Sequence, residues 1–325
     1  MELVCPAGTP SALRTAVDIG ADAVYCGFQD ETNARNFPGL NFSPVELREG
    51  VSYAHSRGTK VLVAINTFAR AGGTRLWQQA VEEAVRAGAD AIILADIGVL
   101  GWACRTFPEQ RLHLSVQAAA TTPAAIRFYV ERYGIKRVVL PRVLTVDEIA
   151  KLIAAIPCEA EVFAFGGLCV MTEGRCQLSS YATGESPNMN GVCSPAEHVE
   201  YRQEGGELAA RLGGFTIDRY PEGQPAAYPT LCKGRFKVHD KALHIFEEPA
   251  SLDTLLLLPA LSKAGVTALK IEGRQRGKAY LTATVKAFRE ALNALEASAE
   301  PVVHDLGRFT EGGRGTTGAY RKTWR

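Results

Sequence analysis

The sequence predicts an α/β protein of the (β/α)8 TIM-barrel type, carrying a cysteine-bearing insertion before the last strand. Three observations point there. Short apolar runs rich in Val, Ile and Leu alternate with amphipathic stretches from the first residues onward. Seven such units follow one another within about 160 residues, and so long a series favours closure of a parallel sheet into a barrel. The rhythm then stops near residue 167 and resumes near 251 with one more helix, strand and helix. An open doubly wound sheet with a separate C-terminal domain is the alternative.

In chain order, residues 3–6, 23–27, 61–66, 91–95, 112–117, 137–141 and 161–166 read as buried strands bounded by turn residues. Residues 74–87, 121–133 and 145–156 read as helices between them. Gly20, Gly58, Gly88 and Gly134 stand where helices should end. Thr145 followed three residues later by Glu148 forms a capping-box pattern. After the insertion come a helix over 252–264, a strand over 266–272 and a long helix over 278–297. The division expected is a barrel of 1–166 and 251–297, an insertion of 167–250, and an irregular C-terminal arm of 298–325.

Composition narrows the function. With 36 Lys and Arg against 35 Asp and Glu in 325 residues, the formal charge is +1, so no general pull toward nucleic acid or anionic lipid is expected. No apolar run approaches the roughly 20 residues of a membrane span, and the opening residues do not read as a secretory signal. A cytoplasmic setting is therefore expected, where eight cysteines speak for metal binding or catalysis rather than disulfides.

Cys5, Cys26, Cys104 and Cys158 lie in or beside apolar elements and read as small buried hydrophobes. Cys169, Cys176, Cys193 and Cys232 instead lie among glycines and polar residues of the insertion, spaced C-x6-C-x16-C-x38-C. Soft thiolate sulfur selects zinc or an iron–sulfur centre, and the absence of close C-x2–4-C pairs leans toward the latter. Arg175, Lys233 and Arg235 adjoin these cysteines and would offset the negative charge of such a centre.

Residues 161–169 (EVFAFGGLC) and 174–179 (GRCQLS) resemble the signature of the U32, collagenase-like, peptidase family, with Gly167 where Ser or Ala is usual. Strings at 2–8, 21–25, 32–35, 39–42, 138–144, 183–188, 228–235 and 270–276 extend the likeness over nearly the whole chain and are most similar to the branch that works in ubiquinone biosynthesis. The resemblance implies a 4Fe-4S cluster on Cys169, Cys176, Cys193 and Cys232. It also implies oxygen-independent hydroxylation of a quinone precursor with prephenate as oxygen donor. Its expected partners are a UbiV-like second family member, forming a heterodimer, and a lipid-carrier accessory protein. An RNA base hydroxylase of the same family, acting on tRNA or rRNA, is one alternative, a U32-type peptidase another, and a cluster-bearing scaffold whose partner does the chemistry a third.

Barrel enzymes place functional groups at the C-terminal ends of strands. Those ends here carry Cys26, Asn66, Asp96, Gln117, Arg142, Glu272 and Arg274, and Cys169 follows the seventh strand directly. Guanidinium groups bind carboxylates bidentately, which makes Arg142 and Arg274, with Arg35 and Arg276 behind them, the candidates for an acidic donor. Asn66 and Gln117 would hydrogen-bond its ring substituents. Glu272 is the candidate acid/base group, or a structural partner of Lys270 or Arg274. No H-E-x-x-H, H-x-x-E-H, G-x-S-x-G or G-x-G-x-x-G pattern supports a zinc hydrolase, a serine hydrolase or nicotinamide binding. The tail 318–325 mixes aromatics with cations; packing against the barrel or a partner chain is the reading preferred over nucleic-acid stacking.

Overall fold

A computed structural model describes residues 1–190, 192–300 and 304–321. Seven strands come first: β1 (Glu2–Pro6), β2 (Ala23–Cys26), β3 (Lys60–Ile65), β4 (Ala91–Leu94), β5 (Leu112–Leu114), β6 (Arg137–Val139) and β7 (Glu159–Gly167). Each pairs in parallel with the next. Six helices connect them: α1 (Pro10–Ile19), α2 (Pro44–His55), α3 (Arg75–Arg86), α4 (Ile97–Thr106), α5 (Pro123–Tyr133) and α6 (Val146–Ile153).

Their starts follow capping chemistry. Thr9, Ser43, Asp96, Thr122 and Thr145 each accept a hydrogen bond from the amide three residues on, and Ser43–Glu46 and Thr145–Glu148 are complete capping boxes.

The insertion, whose sequence has no strand–helix rhythm, holds a short helix α7 (Leu178–Thr183) and an antiparallel sheet of β8 (Val199–Glu204), β9 (Glu207–Leu212) and β10 (Phe215–Pro221). A hairpin of β11 (Arg235–Val238) and β12 (Lys241–His244) follows. Tight turns at Gly205-Gly206 and Gly213-Gly214 make these strands short and hid them from a helical-period search.

The expected helix over 252–264 is shorter. Ser251–Asp253 forms β13, antiparallel to the end of β7, and α8 runs only over Leu258–Lys263. Thr254 donates from its hydroxyl to Ala164 O at 3.0 Å, pinning the chain to β7 before Pro259 starts the helix. Strand β14 (Ala268–Ile271) then pairs in parallel with both β1 and β7 and closes the eight-stranded barrel. Helix α9 (Lys278–Glu296) covers α1. Of the terminal arm, β15 (Gly315–Thr316) adds to β13, and the Tyr320 hydroxyl donates to Phe163 O at 2.7 Å. That places Tyr320 inside the packing, as expected, whereas Trp324 and its neighbours 322–325 lie outside the described residues.

Apolar packing fills the shell between strands and helices, around Trp77, Phe42, Phe165 and Phe288. Inside the barrel, Val4, Ala23, Tyr25, Leu62, Ala64, Ala91, Ile93 and Ala268 form a smaller cluster. The alanines leave room there for charged side chains.

Candidate functional site

Above that cluster, at the C-terminal ends of the strands, a chamber of about 60 Å³ opens between the strand-following loops. Asn66, Gln117, Arg142, Glu272 and Arg274 all line it, so the barrel gathers five residues spread over more than 200 positions. Tyr25, Arg35, Phe163, Lys270 and Glu173 complete its polar and aromatic wall. Of its four cations, Arg142 pairs with Glu173, Arg35 with Glu272 and Lys270 with Glu161, which leaves Arg274 without a carboxylate among the described ion pairs.

Arg142 lies flat on the Phe163 ring, 3.4 Å from its centroid, and pairs through Nη1 with Glu173. Both partners are buried. Arg142 is therefore not a free receptor for an acid: the protein supplies it with a carboxylate of its own. Burial raises the Glu173 carboxyl above its usual range, against the pull of Arg142 and nearby backbone amides. Three buried polar atoms of this wall lack a hydrogen-bond partner: Arg142 Nε, Glu173 Oε2 and Gln117 Oε1.

Arg274 donates from Nη1 to Asn33 Oδ1 at 2.6 Å and lies over Tyr25. Burial, with Arg35 adding repulsion, pulls its guanidinium down to about 10. Glu272 partners neither Lys270 nor Arg274. It sits 3.7 Å from Arg35 and accepts from the Gly167 amide at 3.1 Å. Although burial opposes ionisation, Arg35 and Arg142 hold its carboxyl below the ordinary range. Lys270 instead donates to the buried Glu161 at 2.7 Å.

Other strand-end residues do structural work. Asn66 accepts from the Ala34 amide at 3.0 Å and donates to Ser115 Oγ at 3.5 Å, tying the β2–α2 loop to β5, so its amide is largely spent. Asp96 caps α4 and accepts from the Ala69 amide at 3.1 Å. Cys26 is fully buried, its thiol pushed up to about 12 by desolvation. Arg276 points away, donating to Phe309 O at 2.7 Å. The sequence reading did not name Glu173, and it took Lys270 only as a structural partner of Glu272. Their signals were a carboxylate between two cysteines of the signature, and a lysine at an inward position of an apolar strand.

The loop from Cys169 to Cys176 covers the chamber. Gly174, at φ +80°, rests against Gln117 so closely that a Cβ would stand 2.0 Å from that residue's carbonyl oxygen. Gly166, at φ +114°, meets Glu272 O in the same way. Only glycine allows both approaches.

Cys193 acts electrostatically on Cys169, Cys176 and Cys232, so the four thiols surround one region. No three of them lie within 4.8 Å of one another among the described residues. Thiolates on a single zinc ion stand only about 3.8 Å apart, so the set is wider than a one-ion site. Desolvation raises the thiols of Cys169, Cys176 and Cys232, the last to about 12. Of the cations expected to serve these cysteines, Lys233 is taken by Glu311 and Arg235 by Asp218. Arg35 and Arg142 of the chamber reach the cysteine region instead, the first acting on Cys169 and Cys193, the second on Cys169.

Comparison with known proteins agrees with the signature. Residues 8–311 match the family described as Peptidase family U32. The chain is 32% identical over 313 residues to tRNA hydroxylation protein P of Escherichia coli (strain K12), covering 90% of this chain and 68% of that protein. It is 30% identical over 298 residues to the 23S rRNA 5-hydroxycytidine C2501 synthase of the same organism, covering 91% and 40%. A collagenase of Porphyromonas gingivalis (strain ATCC BAA-308 / W83) is 27% identical over 304 residues, covering 90% and 66%. The chain thus spans about two thirds or less of the length of these relatives. With the signature in place and the match extending over nearly the whole chain, this protein belongs to peptidase family U32.

Proposed function

We propose that this chain is the iron–sulfur component of an oxygen-independent hydroxylase, with an aromatic ring as substrate and a small acid as oxygen donor. The observation that carries the reading is that chamber cations act on the cysteine region, Arg35 on Cys169 and Cys193 and Arg142 on Cys169. The relatives named for tRNA and rRNA hydroxylation favour a nucleobase as the ring. A quinone precursor is the second reading. The near-neutral charge and the long strings shared with the ubiquinone branch favour it, and it would bring a UbiV-like heterodimer partner, a lipid-carrier protein and a cytoplasmic setting. Peptide hydrolysis finds little support: no histidine stands among the chamber residues to activate Ser115.

The donor set fits a 4Fe-4S centre on Cys169, Cys176, Cys193 and Cys232: all sulfur, mutually influencing, and spaced wider than for one ion. When bound, such a centre supplies one-electron chemistry. This chain's own residues do the rest. Arg274, which has no carboxylate partner among the ion pairs described, orients the carboxylate of an acid such as prephenate. Glu272, held ionised by Arg35, is a fixed negative charge at neutral pH and not a proton donor. Gln117 and Glu173 meet the guest's polar edge, and the loop above them excludes water.

Two experiments test the reading. Anaerobically purified protein should contain about four irons and four sulfides per chain, and each of the four cysteine-to-Ala variants should lose most of them. An unchanged iron content in Cys193→Ala overturns the ligand set. A deletion strain grown without oxygen should lose a hydroxylated nucleoside or, on the second reading, ubiquinone. Loss of neither rejects the hydroxylase.

A further inference from the structure

Among the described residues, every buried cation but one is matched by a carboxylate. Arg137 has Glu2, Glu159 and Glu161, Arg142 has Glu173, Lys233 has Glu311 and Lys270 has Glu161. Arg274 is as buried as these and has no carboxylate within ion-pair distance; Glu272, which acts on it from farther off, is paired with Arg35. A buried charge left without a counter-charge is costly, so the exception calls for a reason. What holds Arg274 is an amide: its Nη1 donates to Asn33 Oδ1 at 2.6 Å. That amide cannot turn. Asn33 is 0% exposed, its Oδ1 also accepts from the Arg35 amide at 3.1 Å, and its Nδ2 donates to Phe28 O at 3.1 Å. Gly27 packs against it so closely that a Cβ there would stand 2.5 Å from the Asn33 Cγ. Nε and Nη2 of Arg274 make no described hydrogen bond, yet neither is among the buried polar atoms without a partner. Both therefore border open space, in a residue that lines the chamber.

We propose that Asn33 is a positioning residue that aims Arg274 with a neutral acceptor, so that the charge of the guanidinium stays unspent for one carboxylate of the guest. An aspartate of the same shape would make the stronger bond to Arg274 and would quench it. Asparagine forgoes that ion pair and keeps the direction. One short stretch of chain thus treats two chamber cations oppositely: Arg35 is given Glu272, and Arg274 is given an amide. A guest's carboxylate meets a guanidinium whose place is already set, which spares the cost of ordering it on binding. The inference rests on Arg274 being the anchor of the acid, and its test separates the two.

Acetate and acetamide match in size and shape and differ in charge. Titrated against the full chain by ligand-observed NMR, acetate should bind at least tenfold tighter than acetamide, and Arg274→Gln should abolish that preference. Asn33→Asp sets a carboxylate on Arg274, so acetate should lose its advantage while acetamide binds as before. Asn33→Ala removes the aim without adding charge, so acetate should weaken several-fold, again with acetamide unmoved. A purely structural role would weaken both probes alike in either variant. Circular dichroism checks that each variant folds, and the Ala variant decides by itself if the Asp variant does not. A preference for acetate kept in Asn33→Asp, or acetate and acetamide weakened equally in Asn33→Ala, overturns the inference and leaves the site reading standing. Equal binding of the two probes to the unaltered protein, or a preference that survives in Arg274→Gln, overturns both.

Discussion

His113 shows how much one residue's surroundings decide. It lies on β5, and the fold turns it into the barrel beside Arg137 and Lys270. Its Nε2 accepts from Arg111 Nε at 2.9 Å, which requires the neutral ring, while Nδ1 has no partner. Burial first, then the surrounding cations, push its pKa well below the ordinary value. The folded state therefore binds this proton less readily than the unfolded chain. Its contribution is complete above about pH 6.5 and is lost as the pH falls toward the folded value. Between pH 6.5 and 5 this linkage amounts to at most about 2 kcal/mol. Urea unfolding of His113→Gln across that range should show a shallower loss of stability than the unaltered protein. An identical slope would place the acid sensitivity elsewhere. The same scale explains why the chamber was only partly legible: strand-end position identified Arg142, Arg274 and Glu272, but not that Glu173 occupies Arg142 or that Arg35 occupies Glu272.

At the scale of elements, the strand–helix alternation was readable because capping and hydrophobic period act locally; Thr145 and Glu148 form the expected box. The insertion was not, since its strands are short and half exposed, with pairing set by double-glycine turns and partners distant in sequence. The loop between Cys169 and Cys176 is the element on which the site turns. Gly174→Ala would add a Cβ where φ is +80° and the Gln117 carbonyl is 2.0 Å away. Strain of about 1–3 kcal/mol should follow, relieved by lifting the loop. Maleimide labelling of Cys169 and Cys176 in metal-free protein should then quicken several-fold. Unchanged labelling would mean that the loop does not depend on this contact.

Across the whole molecule, the barrel interior is held by a chain of charges running from strand to strand. Arg137 pairs with Glu2, Glu159 at 2.7 Å and Glu161 at 3.3 Å, and Lys270 donates to the same Glu161. Glu161 is 0% exposed, so removing one of its two cations leaves a buried carboxylate poorly compensated. Arg137→Met should cost about 3–5 kcal/mol. Adding Glu161→Leu should return part of that loss, measured by chemical unfolding; a double variant no more stable than the single one would contradict the network. Among the described residues no helix is long and apolar enough to cross a membrane, in keeping with a chain whose apolar content is spent on the barrel shell.

By itself the sequence determined the barrel, its caps and its family, because local period, capping geometry and signature strings are carried by neighbours along the chain. Tertiary structure alone decided which charges are matched. The closing of β14 onto β1 and β7 brings Lys270 to Glu161, and the folding of the cysteine loop back over the barrel brings Glu173 to Arg142. Coulomb energy depends on distance through space and on burial, and neither is written in the spacing of residues along a chain.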